Sequence, residues 1–208
     1  MPDSLSQTMD GLGRQARNAA RTLALSSGDV RNAALHAASA ELRTRRAGIL
    51  EANAIDMREA RERGLGAAML DRLMLDESRV EAMAAGLEAI AGLPDPLGRI
   101  MAEWQRPNGL AIQRVAVPLG VIGIIYESRP NVTADAAGLC VKSGNAVILR
   151  GGSESFHSSR AIHACLVSGL EKAGLPADSV QMVPTTDRAA VGYLLSSMSQ
   201  WVDVVVPR

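Results

Sequence analysis

The sequence predicts an α/β protein: a helical N-terminal region, then a β-hairpin arm, then a Rossmann-like, mostly parallel sheet. Three observations carry that prediction. Residues 1–98 are alanine-rich, with apolar positions at three- and four-residue spacings. Beyond Arg99 the composition shifts to short Val/Ile/Leu runs. Those runs alternate with helical stretches, the pattern of βαβ units and a parallel sheet. The expected divisions are 1–98 for the helical region, 99–117 for the hairpin and 118–208 for the sheet domain.

In the first region, Leu12, Ala16, Ala19, Ala20, Leu23 and Ala24 mark one face of a helix. Ser26-Ser27-Gly28-Asp29 breaks it, and Asp29 is a candidate cap for the next. Val30 to about Leu42 and Thr44 to about Arg63 read as two more helices, with Gly64 placed to stop the second. Arg43, Arg45, Arg46, Arg58, Arg61 and Arg63 are interleaved with Glu41, Glu51, Glu59 and Glu62, which reads as a solvated face with ion pairs. Asp76 should cap a helix running to about Ala91, ended by Leu93-Pro94-Asp95-Pro96-Leu97-Gly98.

Arg99 to Gln105 and Leu110 to Val117 flank Pro107-Asn108-Gly109. Asn-Gly between β-prone runs is a hairpin signal. Gly120 to Tyr126, Asn145 to Arg150, Ser179 to Val183 and Trp201 to Val206 read as strands buried on both faces. The helices between them are Val132 to Lys142, Glu154 to Ala173 and Asp187 to Ser197.

Bulk properties exclude several classes. Hydrophobic residues make up 47%, enough for a real core. Lys plus Arg equals Asp plus Glu at 22 each, so no bulk field attracts nucleic acid or an anionic membrane. Aromatics at 2% argue against base-stacking platforms. Residues 1–22 lack the apolar stretch of a secretory signal, and no apolar run approaches the roughly 20 residues of a membrane span. Two cysteines make neither a disulfide framework nor a zinc site. A cytoplasmic protein is the expectation.

In an open α/β sheet, ligands bind outside the carboxyl ends of the strands, so three loops carry candidate chemistry. In Tyr126-Glu127-Ser128-Arg129-Pro130-Asn131-Val132-Thr133, Asn131 offers an amide donor near a helix N-terminus, where developing negative charge is stabilised. Arg129 suits a carboxylate or phosphate; the plainer reading is a helix cap beside a surface arginine. In Arg150-Gly151-Gly152-Ser153-Glu154-Ser155 the glycines permit close backbone approach, Ser153 is positioned to cap a helix whose N-terminus favours anions, and Arg150 adds a fixed charge. This is no GxGxxG fingerprint, and a tight turn with a good cap explains it as well. Pro184-Thr185-Thr186-Asp187 reads first as a simple cap.

Other candidates are weak. His157 and His163 do not share a helix face, and His36 has no partner in view. Cys140 and Cys165 sit in apolar helical stretches as small buried hydrophobes. No Ser-His-Asp signature, P-loop or metal motif is present.

The run Val115-Ala116-Val117-Pro118-Leu119-Gly120-Val121-Ile122-Gly123-Ile124-Ile125-Tyr126-Glu127-Ser128-Arg129-Pro130-Asn131-Val132-Thr133 resembles the signature of the γ-glutamyl phosphate reductase family. Lys142-Ser143-Gly144-Asn145-Ala146-Val147-Ile148-Leu149-Arg150-Gly151-Gly152 continues it. The resemblance covers essentially the whole chain, and the family lies in the aldehyde dehydrogenase superfamily. It implies reduction of L-glutamyl 5-phosphate to L-glutamate 5-semialdehyde with NADPH, the second step of proline biosynthesis. A cysteine thiolate would expel phosphate to leave a thioester, and hydride transfer would give a thiohemiacetal that collapses to the aldehyde. It further implies an oxyanion role for Asn131, substrate contact by Arg129, and cofactor contacts from Arg150, Gly151, Gly152, Ser153 and Glu154. An arginine at position 150, where related enzymes carry lysine, suits a 2′-phosphate. Thr185 to Val191 resembles the helix beside the adenine. The hairpin resembles oligomerisation strands, which implies a homo-oligomer.

Neither Cys140 nor Cys165 matches the family's nucleophile motif. The expectation is therefore a fragment of the parent enzyme that is inactive alone, its last strand buried. Two alternatives stand beside it. One is a non-catalytic nucleotide-binding or oligomerisation module. The other is an ordinary aldehyde dehydrogenase, against which the Glu127 to Thr133 signature argues.

Overall fold

The structure is a computed structural model that describes residues 4–208. Residues 1–3, the start of the stretch read for a secretory signal, lie outside the described residues.

Five helices come first: α1 (Ser4–Leu25), α2 (Gly28–Thr44), α3 (Arg46–Glu62), α4 (Ala67–Leu73) and α5 (Glu77–Gly92). The apolar stripe of α1 is buried through Met9, Ala16, Ala19, Ala20 and Leu23. That face lies on the sheet rather than on the other early helices, and Trp201 Nε1 donates to Asp10 at its edge. The cap of α2 is Ser27, whose hydroxyl accepts from the Val30 N–H at 3.3 Å. Asp29 instead falls inside the first turn, because the helix opens at Gly28. Asp76 caps α5 as expected, accepting from the Arg79 N–H at 2.8 Å. Helix α4 is an element the periodicity did not reveal, since seven residues span too little of the helical repeat to show it.

The arginine-rich face is partly an interhelical network. Arg43 joins α2 to α5 through Glu81 at 2.7 Å and through Glu88. Glu41 is buried and pairs with Arg45 at 2.6 Å.

Strands β1 (Ile100–Gln105) and β2 (Ala111–Val115) form the antiparallel hairpin. Gly109 takes a φ of 84°, the left-handed turn conformation that glycine adopts without steric cost. The hairpin stands apart from the main sheet, with large apolar side chains such as Met101 and Leu110 exposed.

The main sheet contains β3 (Val121–Ile125), β4 (Ala146–Arg150), β5 (Val180–Met182) and β6 (Val204–Pro207), in the order β5-β4-β3-β6. Every pairing is parallel. Helices α6 (Asn131–Lys142), α7 (Phe156–Lys172) and α8 (Ala189–Ser196) make the crossovers. Leu35, Ala38 and Leu42 of α2 share one core with Val147 and Leu149 of β4 and with α6 and α7. α1 and α8 cover the opposite face around Val121, Ile148 and Leu194.

β3 and β4 are buried on both faces, as expected of central parallel strands. β6 is not. It begins at Val204 rather than Trp201, lies at the sheet edge, and leaves Val204 and Val206 exposed. Asp203 breaks the run: its backbone N–H bonds Val121 O while its carboxylate takes the Val121 N–H and pairs with Arg17 at 2.7 Å.

Candidate active site

The chain runs from β3 through β4 to β5 in one direction, then returns past β3 to β6. The order therefore reverses between β3 and β6, and the carboxyl ends of those strands mark the crevice where such sheets bind ligands. The loop after β3 lies there, closed by the Arg208 N–H donating to Ile125 O at 2.8 Å.

The first two candidate loops are in direct contact. The Ser128 hydroxyl donates to Glu154 Oε2, and Ser153 Oγ donates to Glu154 Oε1 at 2.9 Å. A side chain on Gly152 would collide with Ser128, whose backbone N would lie 2.8 Å from the added Cβ. One on Gly151 would press 3.0 Å from the Tyr126 ring. The two glycines thus make room first for the neighbouring loop. Burial pushes the Glu154 carboxyl up, but hydrogen bonds from Ser128, its own N–H and Ser153 outweigh that, and the net shift is downward. Glu154 is an ionised acceptor for a hydroxyl donor.

Ser153 does not cap α7. It opens a short 3-10 turn, Ser153–Ser155, that sets its hydroxyl too early for a helix starting at Phe156. The capping acceptor is Asp56 of α3, whose carboxylate takes the N–H of His157 at 3.1 Å, that of Ser158 at 2.8 Å, and the Ser158 hydroxyl. Asn53, one turn earlier, bonds Ser158 Oγ, Leu73 O and the Leu75 N–H. α3 thereby fixes both the glycine-bearing loop and the end of α4.

Arg150 is buried and its guanidinium is turned inward, donating to Gly151 O and to Thr186 O at 3.0 Å. Its Nε is buried without a partner. Arg150 so ties the second loop to the third. Between these loops the enclosed space is about 10 Å³, no more than a single water needs. In the third loop Asp187 Oδ1 accepts from the Ala189 N–H at 2.8 Å, the simple cap the sequence suggests.

Arg129 and Asn131 lie on the other side of the first loop, in a cleft of about 480 Å³. Asn131 is exposed at the start of α6, its amide reaching Asp135 Oδ2 at 3.4 Å. Burial pushes the Asp135 carboxyl up, offset in part by Arg208 and Asn131. The same cleft is lined by Asp71, Arg72 and Arg79, which the sequence reading did not single out. Arg72 belongs to α4, and its signal was only a short Ala/Met/Leu stretch after Gly66. Seven candidate residues therefore form two groups: Arg150, Gly151, Gly152, Ser153 and Glu154 on one side, Arg129 and Asn131 on the other. The Ser128 to Glu154 contact joins them.

Both thiols are free and buried in the main apolar core, and neither lines the clefts that hold these groups. Burial pushes Cys140 up to about 12 and Cys165 up to about 11. His163 is half-buried, with Nε2 2.8 Å from Val180 O, and desolvation lowers its pKa.

A helix-covered parallel sheet of this order, with its loops meeting at the carboxyl ends of the strands, defines the class. The aldehyde dehydrogenase family model matches residues 1–205, and the chain belongs to that family. Within it, the chain is 64% identical over 204 residues to the γ-glutamyl phosphate reductase of Paramagnetospirillum magneticum, covering 98% of this chain and 48% of that protein. It is 61% identical to the enzyme of the same name from Rhodospirillum rubrum, covering 99% and 48%. The crystal structure of γ-glutamyl phosphate reductase from Thermotoga maritima superposes with a TM-score of 0.94 at 39% identity, covering 96% of this chain and 48% of that one. The chain spans about half the length of the curated relatives it matches.

Proposed function

We propose that the chain is the cofactor-binding portion, with part of the substrate site, of an NADPH-dependent γ-glutamyl phosphate reductase. The parent reaction is reduction of L-glutamyl 5-phosphate to L-glutamate 5-semialdehyde with release of phosphate, in proline biosynthesis. The observation that carries this reading is the meeting of the loops after β3 and β4 at the carboxyl edge of the sheet, one leading to Asn131 and the other bearing ionised Glu154.

The residues on the cofactor side fit a dinucleotide. Glu154 is a charged acceptor for ribose hydroxyls, and Ser153 offers a hydroxyl beside it. Arg150 is turned inward to Gly151 O and Thr186 O, so it would act on a 2′-phosphate through its fixed positive charge and by holding the loop in place, not through a direct bond from its buried Nε–H. NADPH would supply the hydride. On the substrate side, Asn131 would donate its amide to the oxygen that gains charge when the acyl carbon is attacked. Arg129 would hold an anionic group of the substrate. The nucleophilic thiolate is neither Cys140 nor Cys165, since burial holds both protonated at neutral pH. The 208 residues alone would then bind without turning over. The hairpin, with its exposed apolar side chains, would pair subunits in a homo-oligomer.

Calorimetry tests the binding half. NADPH should bind, and Glu154→Gln should weaken it about tenfold. NADPH binding unaffected by that change would overturn the assignment. A turnover assay tests the other half. NADPH-dependent semialdehyde formation by this chain, abolished by Cys140→Ala, would refute the account of the nucleophile.

A further inference from the structure

Arg72 and Arg129 come from segments far apart in the chain, yet their guanidinium groups converge on one carboxylate oxygen. Arg72 Nη1 lies 3.5 Å from Glu127 Oε2, and Arg129 Nε lies 4.0 Å from the same atom. Good charge-assisted hydrogen bonds are shorter, so neither arginine is well satisfied by Glu127. All three side chains are open to solvent, at 50%, 46% and 65% exposure.

Arg79 in the same cleft is different. It bonds Asp71 Oδ1 at 2.8 Å, Met74 O at 2.9 Å and Asp71 O, so its donors are already engaged in holding the α4–α5 turn. Asp71 is neutralised in the process. Arg72 and Arg129 are the residues common to two adjoining hollows. One is the 480 Å³ cleft containing Asn131; the other, of about 380 Å³, contains Ser128, Gly152 and Glu154. They stand at the point where the substrate-side and cofactor-side groups meet.

We propose that Arg72 and Arg129 form a two-guanidinium clamp for an anionic group of the ligand, a phosphate or a carboxylate. Glu127 is its internal occupant and is displaced when the ligand binds. The assignment rests on the proposed function and adds to it a binding residue, Arg72, and a competing one, Glu127. The physics favours displacement. An exposed, poorly aligned ion pair contributes little, so releasing Glu127 to water costs little. Two planar guanidinium groups can each make parallel hydrogen bonds to a carboxylate or phosphate. Asn131 lines the same cleft as both arginines.

The test is calorimetry of this chain with inorganic phosphate and, separately, L-glutamate as probes, on wild type, Arg72→Gln, Arg72→Lys and Glu127→Gln. Circular dichroism confirms that each variant is folded. Arg72→Gln should weaken the probe that binds about tenfold, Arg72→Lys should recover only part, and Glu127→Gln should tighten it severalfold. Response of the phosphate arm alone identifies the phosphoryl group as the clamped anion; response of the glutamate arm alone identifies the carboxylate. Binding of neither probe, or binding unchanged in both Arg72→Gln and Glu127→Gln, overturns the clamp. NADPH affinity measured on the same samples separates the two readings. Lost clamp behaviour with NADPH binding intact refutes only the clamp, whereas intact anion binding without NADPH binding refutes the proposed function.

Discussion

The Ser128 hydroxyl donates to the Glu154 carboxylate across two loops that are 26 positions apart in the chain. This one bond couples the loop leading to Asn131 with the loop following Arg150.

Ser128→Ala should destabilise the chain by about 1 kcal/mol at pH 7. The pH dependence follows from the lowered pKa of Glu154. A carboxyl depressed on folding contributes stability above its unfolded value, near 4.5, and loses it as pH falls through the folded value. The gap between wild type and Ser128→Ala in urea midpoints should therefore narrow below about pH 4.5. A gap that is constant from pH 7 to the acid limit would exclude this role.

Asp56→Ala should cost about 2 kcal/mol, because it strands the N–H groups of His157 and Ser158 at the start of α7. Burial raises the Asp56 carboxyl, with hydrogen bonds from Ser158 and His157 opposing. Its folded pKa lies above the unfolded value, so the sign is opposite to that of Glu154: its titration favours the fold at low pH and disfavours it as pH rises through the folded value. Urea unfolding of the variant at pH 7 measures the cost, and a midpoint equal to wild type would rule out the capping role.

Gly169→Ala should destabilise the α2–α7 crossing by about 2 kcal/mol. The added Cβ would lie 2.7 Å from Ala38 Cα, a backbone atom that cannot yield without moving the helix. A thermal melt within a degree or so of wild type would show that the helices part more easily than this packing allows.

Cys140 and Cys165 should resist alkylation by iodoacetamide at pH 7.5 in the folded chain and react together on denaturation. Their thiols are buried, with pKa values pushed up to about 12 and about 11. Mass spectrometry after timed labelling reads this directly. Rapid labelling of either one in native protein would contradict the burial.

The central strands were legible because β3 and β4 are buried on both faces and so must be continuously apolar. The hairpin was legible because Asn108-Gly109 states its turn locally. The start of β6 was less so. Val202 to Val206 reads as one apolar run, but Asp203 turns it through contacts with Arg17 and Val121, both distant in sequence. The true cap of α7 was equally hidden, since Asp56 is 101 and 102 positions from the N–H groups it accepts.

The sequence by itself determined the α/β class, the three loops worth attention and, through Tyr126 to Gly152, the family. Those are properties of local pattern, carried by neighbours along the chain. Only the tertiary structure decided that Arg150 faces inward to Thr186, that Asp56 rather than Ser153 caps α7, and that Arg72 stands opposite Arg129. Each of these is a meeting of side chains brought together by packing, and side-chain direction across a fold has no counterpart in the order of residues.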